Sequence, residues 1–125
     1  MLKGFYNSSE LDFTIPENKE AMLKAFGQVD KEKGNDYPLI IGGERIMTEE
    51  KIFSFSPSTK EQLGAVSSCS QELADRAIRT AHNAFLSWRT TPVEERICCV
   101  RRLVELMKQN RFLLDAWSIE ESGKN

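Results

Sequence analysis

A few side chains in this 125-residue sequence could carry out chemistry, but none has the partner that catalysis requires. A nucleophile–base pair needs a Ser, Cys or Lys beside a His or a carboxylate. The one histidine, His82, has no partner motif near it and is interpreted as structural. Cys98 and Cys99 lie near arginines that could lower a thiol pKa, but the middle of a helix lacks the activating position of a helix N-terminus. We therefore predict packing roles for them and no reactive cysteine.

The other candidate features are a glycine pair, a basic cluster and a carboxylate pair. Gly42-Gly43 enters a predicted strand and not a helix, so it is predicted to be a turn and not a phosphate-binding loop. The basic side chains of residues 96–111 are interleaved with glutamates, which favours a solvated helix face over a nucleic-acid site. Glu120-Glu121 has no clear apolar pocket that would raise a carboxyl pKa. The sequence alone thus predicts no catalytic, cofactor-binding or metal-binding residue.

The hydrophobic pattern predicts a mostly helical α+β fold with an N-terminal β-hairpin and short strands. Residues 37–41 and 44–47 should form the hairpin, because the intervening glycine pair suits a tight primed turn. Further strands are predicted at 51–55 and 63–66, and a first amphipathic helix is predicted from Pro16 to Gly34.

Three more helices should follow these strands. Ser70 is a plausible N-cap for a helix that extends to Trp88. Residues 91–94 have the form of a capping box with a proline at the first helical position, which predicts the next helix. Asn110 could cap the last helix, and Ser122-Gly123 would end it with a C-terminal glycine.

The composition is that of an ordinary globular protein. Charged residues make up 29% and hydrophobic residues 40%, and 17 basic against 19 acidic residues give a formal charge of -2. These values exclude the disordered and membrane classes and show no nucleic-acid footprint. No apolar run resembles a signal sequence, and three cysteines are an odd count without ligand spacing. We expect a cytosolic protein whose cysteines are reduced thiols on or near buried helix faces.

Several segments in succession resemble the N-terminal region of the aldehyde dehydrogenase superfamily. The long first helix and the run from Gly34 to Ile41 are most similar to its 1-pyrroline-5-carboxylate dehydrogenases. The sequence departs from the family pattern at Ser56, where Asn is common, and at Asn125, where Pro is common. The segments that carry the resemblance are Ile40-Ile41-Gly42-Gly43-Glu44, Ser56-Pro57-Ser58-Thr59, Ala81-His82-Asn83-Ala84-Phe85-Leu86-Ser87-Trp88 and Glu121-Ser122-Gly123-Lys124.

The resemblance implies an NAD-dependent enzyme that oxidises L-glutamate γ-semialdehyde to L-glutamate in proline degradation. It implies that residues 16–125, after an arm at 1–15, are an incomplete segment on the outside of the α/β NAD-binding domain. The family's catalytic cysteine, glutamate, oxyanion-hole Asn and dinucleotide site all follow the Gly-Lys motif, so none can be assigned to this chain. In some relatives the position of Glu121 holds a structural cation, together with backbone near Ser54 and Phe55.

We therefore expect a truncated dehydrogenase that is inactive by itself and does not bind NAD, because the chain stops at Gly123-Lys124-Asn125. Its partner would be the missing remainder of the enzyme, with no nucleic acid or membrane involved. The alternatives are a stand-alone helical interaction module and a fragment of an aldehyde dehydrogenase with another substrate. Self-association is expected through exposed apolar faces around Ala77, Ala81, Phe85, Val100 and Trp117.

Overall fold

The computed structural model describes residues 7–123, so the predicted features at Lys124-Asn125 and the first six residues of the arm lie outside the described part. The predicted α+β fold is confirmed, with four helices and five strands within these residues. The helices are α1 Pro16–Glu32, α2 Gln71–Trp88, α3 Val93–Gln109 and α4 Arg111–Ser122. The strands are β1 Asn35–Tyr37, β2 Leu39–Ile41, β3 Glu44–Ile46, β4 Lys51–Phe55 and β5 Gln62–Ser67.

The predicted hairpin is formed by the antiparallel strands β2 and β3. Gly42 and Gly43 join them with φ angles of 61° and 85°. Both angles lie in the left-handed region that a primed turn needs and that glycine adopts without a steric penalty. The prediction of a turn at this glycine pair is therefore confirmed.

The prediction that Tyr37 belongs to the hairpin is wrong. Tyr37 ends β1, which pairs in parallel with β5, and β5 also pairs with β4 in the antiparallel sense. Pro38 separates β1 from β2, since proline has no N–H to donate and restricts the residue before it. The result is a three-stranded sheet in the order β1-β5-β4, with the hairpin as a separate unit.

The small hydrophobic core lies between the first and the last helix. Ala25 and Val29 of α1 and Ala116 of α4 are buried there. Trp117 packs against them and is half-buried, so the expectation that it lies on an exposed face is wrong. Helix α4 follows the others in sequence but returns to α1, and small alanines allow the two helices to approach closely. The other residues packed around this core are Met22, Phe26, Phe112 and Leu113.

Two of the predicted helix caps are confirmed. The Leu73 N–H donates to Ser70 Oγ over 3.3 Å, so Ser70 is the N-cap of α2. At the other end of the chain, Gly123 has a φ of 63° and its N–H donates to the Ile119 carbonyl over 2.8 Å. Gly123 thus ends α4 in the left-handed conformation that helix C-termini favour.

The capping box at residues 91–94 is wrong, whereas Asn110 does hold the predicted N-cap position of α4, although its side chain makes no capping hydrogen bond. Pro92 holds the N-cap position of α3, and Thr91 Oγ1 instead donates to the Ser87 carbonyl over 3.2 Å. Asn110 Nδ2 donates to the Leu106 carbonyl over 2.8 Å. Both side chains therefore satisfy the carbonyls at the end of the preceding helix, which also need partners.

The part of the N-terminal arm that the structure describes contacts the first turns of α1 and α4, and Asn18 Nδ2 of α1 donates to the Asp12 carbonyl over 2.8 Å. Thr14 donates from its N–H and its hydroxyl to Asp12 Oδ1, over 2.9 Å and 2.6 Å. Both hydrogen bonds lower the pKa of Asp12 below its ordinary value of 3.8, and the bond from the hydroxyl has the larger effect. Arg111 Nη1 of α4 donates to the Ser9 carbonyl over 3.1 Å.

Candidate functional site

The structure gives the candidate nucleophiles and base no catalytic arrangement. His82 is exposed on α2. Cys69, Cys98 and Cys99 are free and exposed, and Cys69 lies between β5 and α2, outside any helix. The prediction that the cysteines lie on or near buried helix faces is wrong for this chain. The prediction fails because neither α2 nor α3 has a buried residue within the described structure.

A lysine and a serine that the sequence patterns did not single out meet at the three-stranded sheet. Lys51 Nζ lies 3.3 Å from Ser67 Oγ and 3.4 Å from Asp36 Oδ2. Ser67 is only 1% exposed and also accepts the Thr48 N–H over 3.2 Å. An ammonium that donates to the hydroxyl and pairs with a carboxylate cannot accept the hydroxyl proton. The cluster therefore fastens β1, β4 and β5 together and is not a serine–lysine dyad.

The residue suggested for a structural cation, Glu121, lines an open cavity of about 290 Å³ beside the three-stranded sheet. Ser54 lines the same cavity, so the structure brings these two residues together, whereas Phe55 does not contribute to the lining. Within residues 7–123, no group of three or more His, Cys, Asp or Glu side chains could hold a metal ion. The cavity is mainly apolar, and its other walls are formed by Glu32, Tyr37, Leu63, Gly64, Val66 and Trp117.

Lys33, directly after α1, is the centre of an ion-pair cluster. Its Nζ lies 3.0 Å from Asp30 Oδ1, 3.2 Å from Glu120 Oε2 and 3.7 Å from Glu61 Oε2. The hydrogen bond that Lys33 donates to Asp30 raises the pKa of Lys33 above 10.5, burial opposes this shift, and the hydrogen bond that it donates to Glu120 adds to it. Glu61 precedes β5 and Glu120 belongs to α4, so one ammonium connects three parts of the fold. The only sequence signal for it is a lysine at the end of a helix.

The glycine pair Gly42-Gly43 does not have the setting of a phosphate cradle. A phosphate cradle needs glycines between a strand and a helix N-terminus whose N–H groups face the anion. Gly42 and Gly43 instead join two strands, and a Cβ atom on Gly42 would lie 3.0 Å from Thr80 Cγ2 on α2. The hairpin therefore packs against the side of α2, and the ion pair between Arg76 of α2 and Glu44 of β3 also holds it there.

Two of the segments that carry the family resemblance meet in space. A Cβ atom on Gly123 would lie 2.9 Å from both Pro57 Cγ and Ser58 Oγ. The turn at Pro57 is held by Ser56, which is buried and whose N–H donates to the Glu61 carbonyl over 2.9 Å. The turn after β4 and the C-terminus of α4 are thus in direct contact.

Large apolar side chains remain exposed along α2 and α3. Phe85, Val100 and Leu103 are each more than half exposed. Globular proteins rarely expose such contiguous apolar surface unless another chain or segment covers it. Within residues 7–123, no helix is long and apolar enough to cross a membrane. The other exposed side chains of this surface are Ile78, Leu86, Trp88, Val93, Ile97, Val104, Leu106 and Met107.

The described residues form an α+β segment in which five short strands lie between the first helix and three further helices. The family model described as the aldehyde dehydrogenase family matches residues 46–125. This chain belongs to the aldehyde dehydrogenase family.

The chain is similar to 1-pyrroline-5-carboxylate dehydrogenases along almost its whole length. The chain is 41% identical to that of Geobacillus kaustophilus over 125 residues, which are 99% of this chain and 24% of that protein. A solved structure of the Thermus thermophilus 1-pyrroline-5-carboxylate dehydrogenase has a TM-score of 0.94 and 33% identity, with 99% and 24% of the two chains covered. A further Thermus structure, with bound NAD, matches equally well. The chain thus spans about a quarter of the length of these relatives.

Proposed function

We propose that this chain forms the N-terminal quarter of an NAD-dependent 1-pyrroline-5-carboxylate dehydrogenase. The complete enzyme oxidises L-glutamate γ-semialdehyde, the open form of 1-pyrroline-5-carboxylate, to L-glutamate in proline degradation. The observation that carries the proposal is the similarity to such enzymes over 99% of the chain in both sequence and structure. The similarity also covers α1, β1 and β2, which precede the part that the family model matches.

The role of the chain in this enzyme is structural. It supplies no nucleophile, base or phosphate cradle among the described residues, so catalysis and NAD binding belong to the remainder of the enzyme. Helices α2 and α3 have no buried residue here, and burial is the main source of helix stability in proteins. The remainder of the dehydrogenase is therefore the partner that covers them. The isolated chain is expected to be inactive and not to bind NAD.

A chimera tests this function. The corresponding quarter of the Geobacillus kaustophilus enzyme is replaced by this chain, and NADH formation from NAD and glutamate semialdehyde is measured. We expect a folded chimera with activity near that of the parent, whereas the parent without its first quarter is the inactive control. A chimera that stays folded but turns over other aldehydes would favour a different substrate class. A chimera that does not fold would contradict the proposal.

The second candidate is a stand-alone helical interaction module derived from such an enzyme. The exposed apolar faces of α2 and α3 favour it, since a partner protein could cover them equally well. The two candidates differ in one measurement. A module should be a stable monomer alone and should not restore activity in the chimera, while a dehydrogenase segment should restore it.

For the location, we propose the cytoplasm. All three cysteines are free and exposed, and exposed thiols persist in a reducing compartment. Thiol titration of the chain taken directly from cell lysate should find three reduced cysteines. Disulfide-linked chains in that sample would contradict this location.

A further inference from the structure

Helix α3 carries an apolar stripe that no part of residues 7–123 buries. Its members recur at alternating steps of four and three residues, which is the spacing of the a and d positions of a coiled coil. Each of them is between 42% and 61% exposed. A helix with this spacing can bury its stripe against a second helix that crosses it at a shallow angle. The stripe consists of Val93, Ile97, Val100, Val104 and Met107.

The charges beside this stripe have opposite signs at the two ends of α3. Glu94 follows the first stripe residue and Lys108 follows the last, so both hold the e position, whose charges set the partner and orientation of a coiled coil. Within residues 7–123, Glu94 forms no ion pair, and Lys108 pairs only with Glu105 of its own helix, at an exposed position. Helix α3 is therefore complementary to another α3 that runs in the opposite direction.

The antiparallel alignment satisfies both the stripe and the charges. It places Ile97 opposite Met107 of a second copy and Val100 opposite its Val104, and two-fold symmetry repeats each contact. In the same alignment Glu94 of each copy meets Lys108 of the other. The two Arg101 side chains meet at the symmetry axis, which is the one unfavourable contact of this alignment.

The parallel alignment of the same two helices is disfavoured by charge. It would bring the g position of each helix beside the e position of the other, so that Arg96 would face Arg101 on both sides of the seam. Glu94 and Lys108 would then lie at opposite ends of the pair. The sequence of α3 thus selects the antiparallel orientation.

A groove beside the stripe can receive the second helix. It has a volume of about 510 Å³, and Trp88 at the end of α2 forms one of its walls. In the antiparallel alignment Val104 and Met107 of the second copy lie over this groove, and the flexible methionine side chain can fill an irregular space. The other residues that line the groove are Val93, Arg96, Ile97, Val100 and Arg101.

We propose that the isolated chain forms a symmetric dimer in which α3 packs antiparallel against α3 of a second copy. The Glu94–Lys108 contacts between the two copies set its register. The proposal goes beyond the proposed function, because it concerns the chain without the remainder of the dehydrogenase. The chimera test does not depend on this contact, so a failure of one proposal is distinguishable from a failure of the other.

Sedimentation of the 125-residue chain over a range of concentrations tests the dimer. The wild-type chain should pass from monomer to dimer, without larger assemblies at the dimer's onset. Glu94→Lys should weaken the dimer at least about tenfold, because it turns both symmetric attractions to Lys108 into repulsions. Lys108→Glu should weaken it similarly. An equimolar mixture of these two variants should form a heterodimer of about wild-type affinity, since each introduced charge then meets an opposite one.

Glu95→Lys is the matched control. It makes the same charge change in the same first turn of α3, with the same effect on the helix dipole, but at the f position, which faces away from the seam. It should leave the dimer unchanged, and the helix signal in circular dichroism shows whether each variant keeps its fold.

Four results would overturn the dimer. The first is a wild-type chain that stays monomeric at every concentration, and the second is a chain that forms larger assemblies insensitive to Glu94→Lys and Lys108→Glu. The third is an equal effect of Glu95→Lys and Glu94→Lys. The fourth is a mixture of Glu94→Lys and Lys108→Glu that associates no better than either variant alone.

Discussion

Gly123 lies directly against Pro57, so that a Cβ atom on the glycine would be 2.9 Å from Pro57 Cγ. Gly123 ends α4 with a φ of 63°, and Pro57 belongs to the turn that follows β4. The lack of a side chain at position 123 thus serves both the helix end and the contact. This contact connects the two-helix core to the three-stranded sheet.

Gly123→Ala should destabilise the chain by about 1–2 kcal/mol from the left-handed backbone alone. The contact with Pro57 adds to this loss, because either the turn or the helix end must move. The measurement is the urea midpoint of the helix signal in circular dichroism. Gly27→Ala is the matched control: position 27 lies within α1 with nothing within 4 Å of the added Cβ, so the change should stabilise by about 0.5–1 kcal/mol. Equal effects of the two variants would show that position 123 tolerates a side chain.

Lys33→Met should lower stability by about 1–2 kcal/mol, because it leaves the half-buried Glu120 without its partner at 3.2 Å. Lys31→Met is the control, since Lys31 is exposed near the end of the same helix and has no ion pair among the described residues. The same urea titration reports both. If Lys31→Met lowers the stability as much as Lys33→Met does, the net positive charge at this helix end stabilises the chain, and the ion-pair cluster does not.

The contribution of Lys33 should also depend on pH in the alkaline range. Its pKa is raised above 10.5 in the folded chain, so the protonated lysine stabilises the fold. That stability is fully present below 10.5 and is lost as the pH rises through the folded-state pKa. The difference in urea midpoint between wild type and Lys33→Met should therefore be constant at neutral pH and disappear at strongly alkaline pH. A difference that persists there would assign the effect to the packing of the lysine stem.

The parts of this fold that the sequence predicted correctly are those with local causes. The turn at Gly42-Gly43 depends on backbone conformations that glycine favours, and Ser70 caps a helix with a residue three positions away. Tyr37 depends instead on a partner in β5, which no periodicity within residues 35–41 reveals. Thr91 and Asn110 each lie between two helices, and the sequence does not determine which helix end the side chain satisfies.

For the candidate site, the sequence correctly indicated only that Gly42-Gly43 leads into a strand and not into a helix. The prediction that the chain has no catalytic residue stays a prediction. The Lys33 cluster and the shared cavity of Ser54 and Glu121 depend on tertiary packing of distant segments. Arg96 Nε, which is buried without a hydrogen-bond partner among residues 7–123, could be recognised only from the structure, because the charge pattern along α3 is that of an ordinary solvated helix.

The exposed faces of α2 and α3 should make the isolated chain bind a hydrophobic dye and associate as its concentration rises. Ile78 on α2 and Leu103 on α3 are 69% and 56% exposed, and apolar side chains at such positions gain free energy when another surface covers them. Ile78→Glu combined with Leu103→Glu should reduce dye fluorescence and shift the sedimentation profile towards monomer. Asn83→Glu adds a charge at an exposed polar position of α2 and should change neither. If the wild-type chain sediments as a monomer, melts cooperatively and does not bind the dye, these faces do not need a partner.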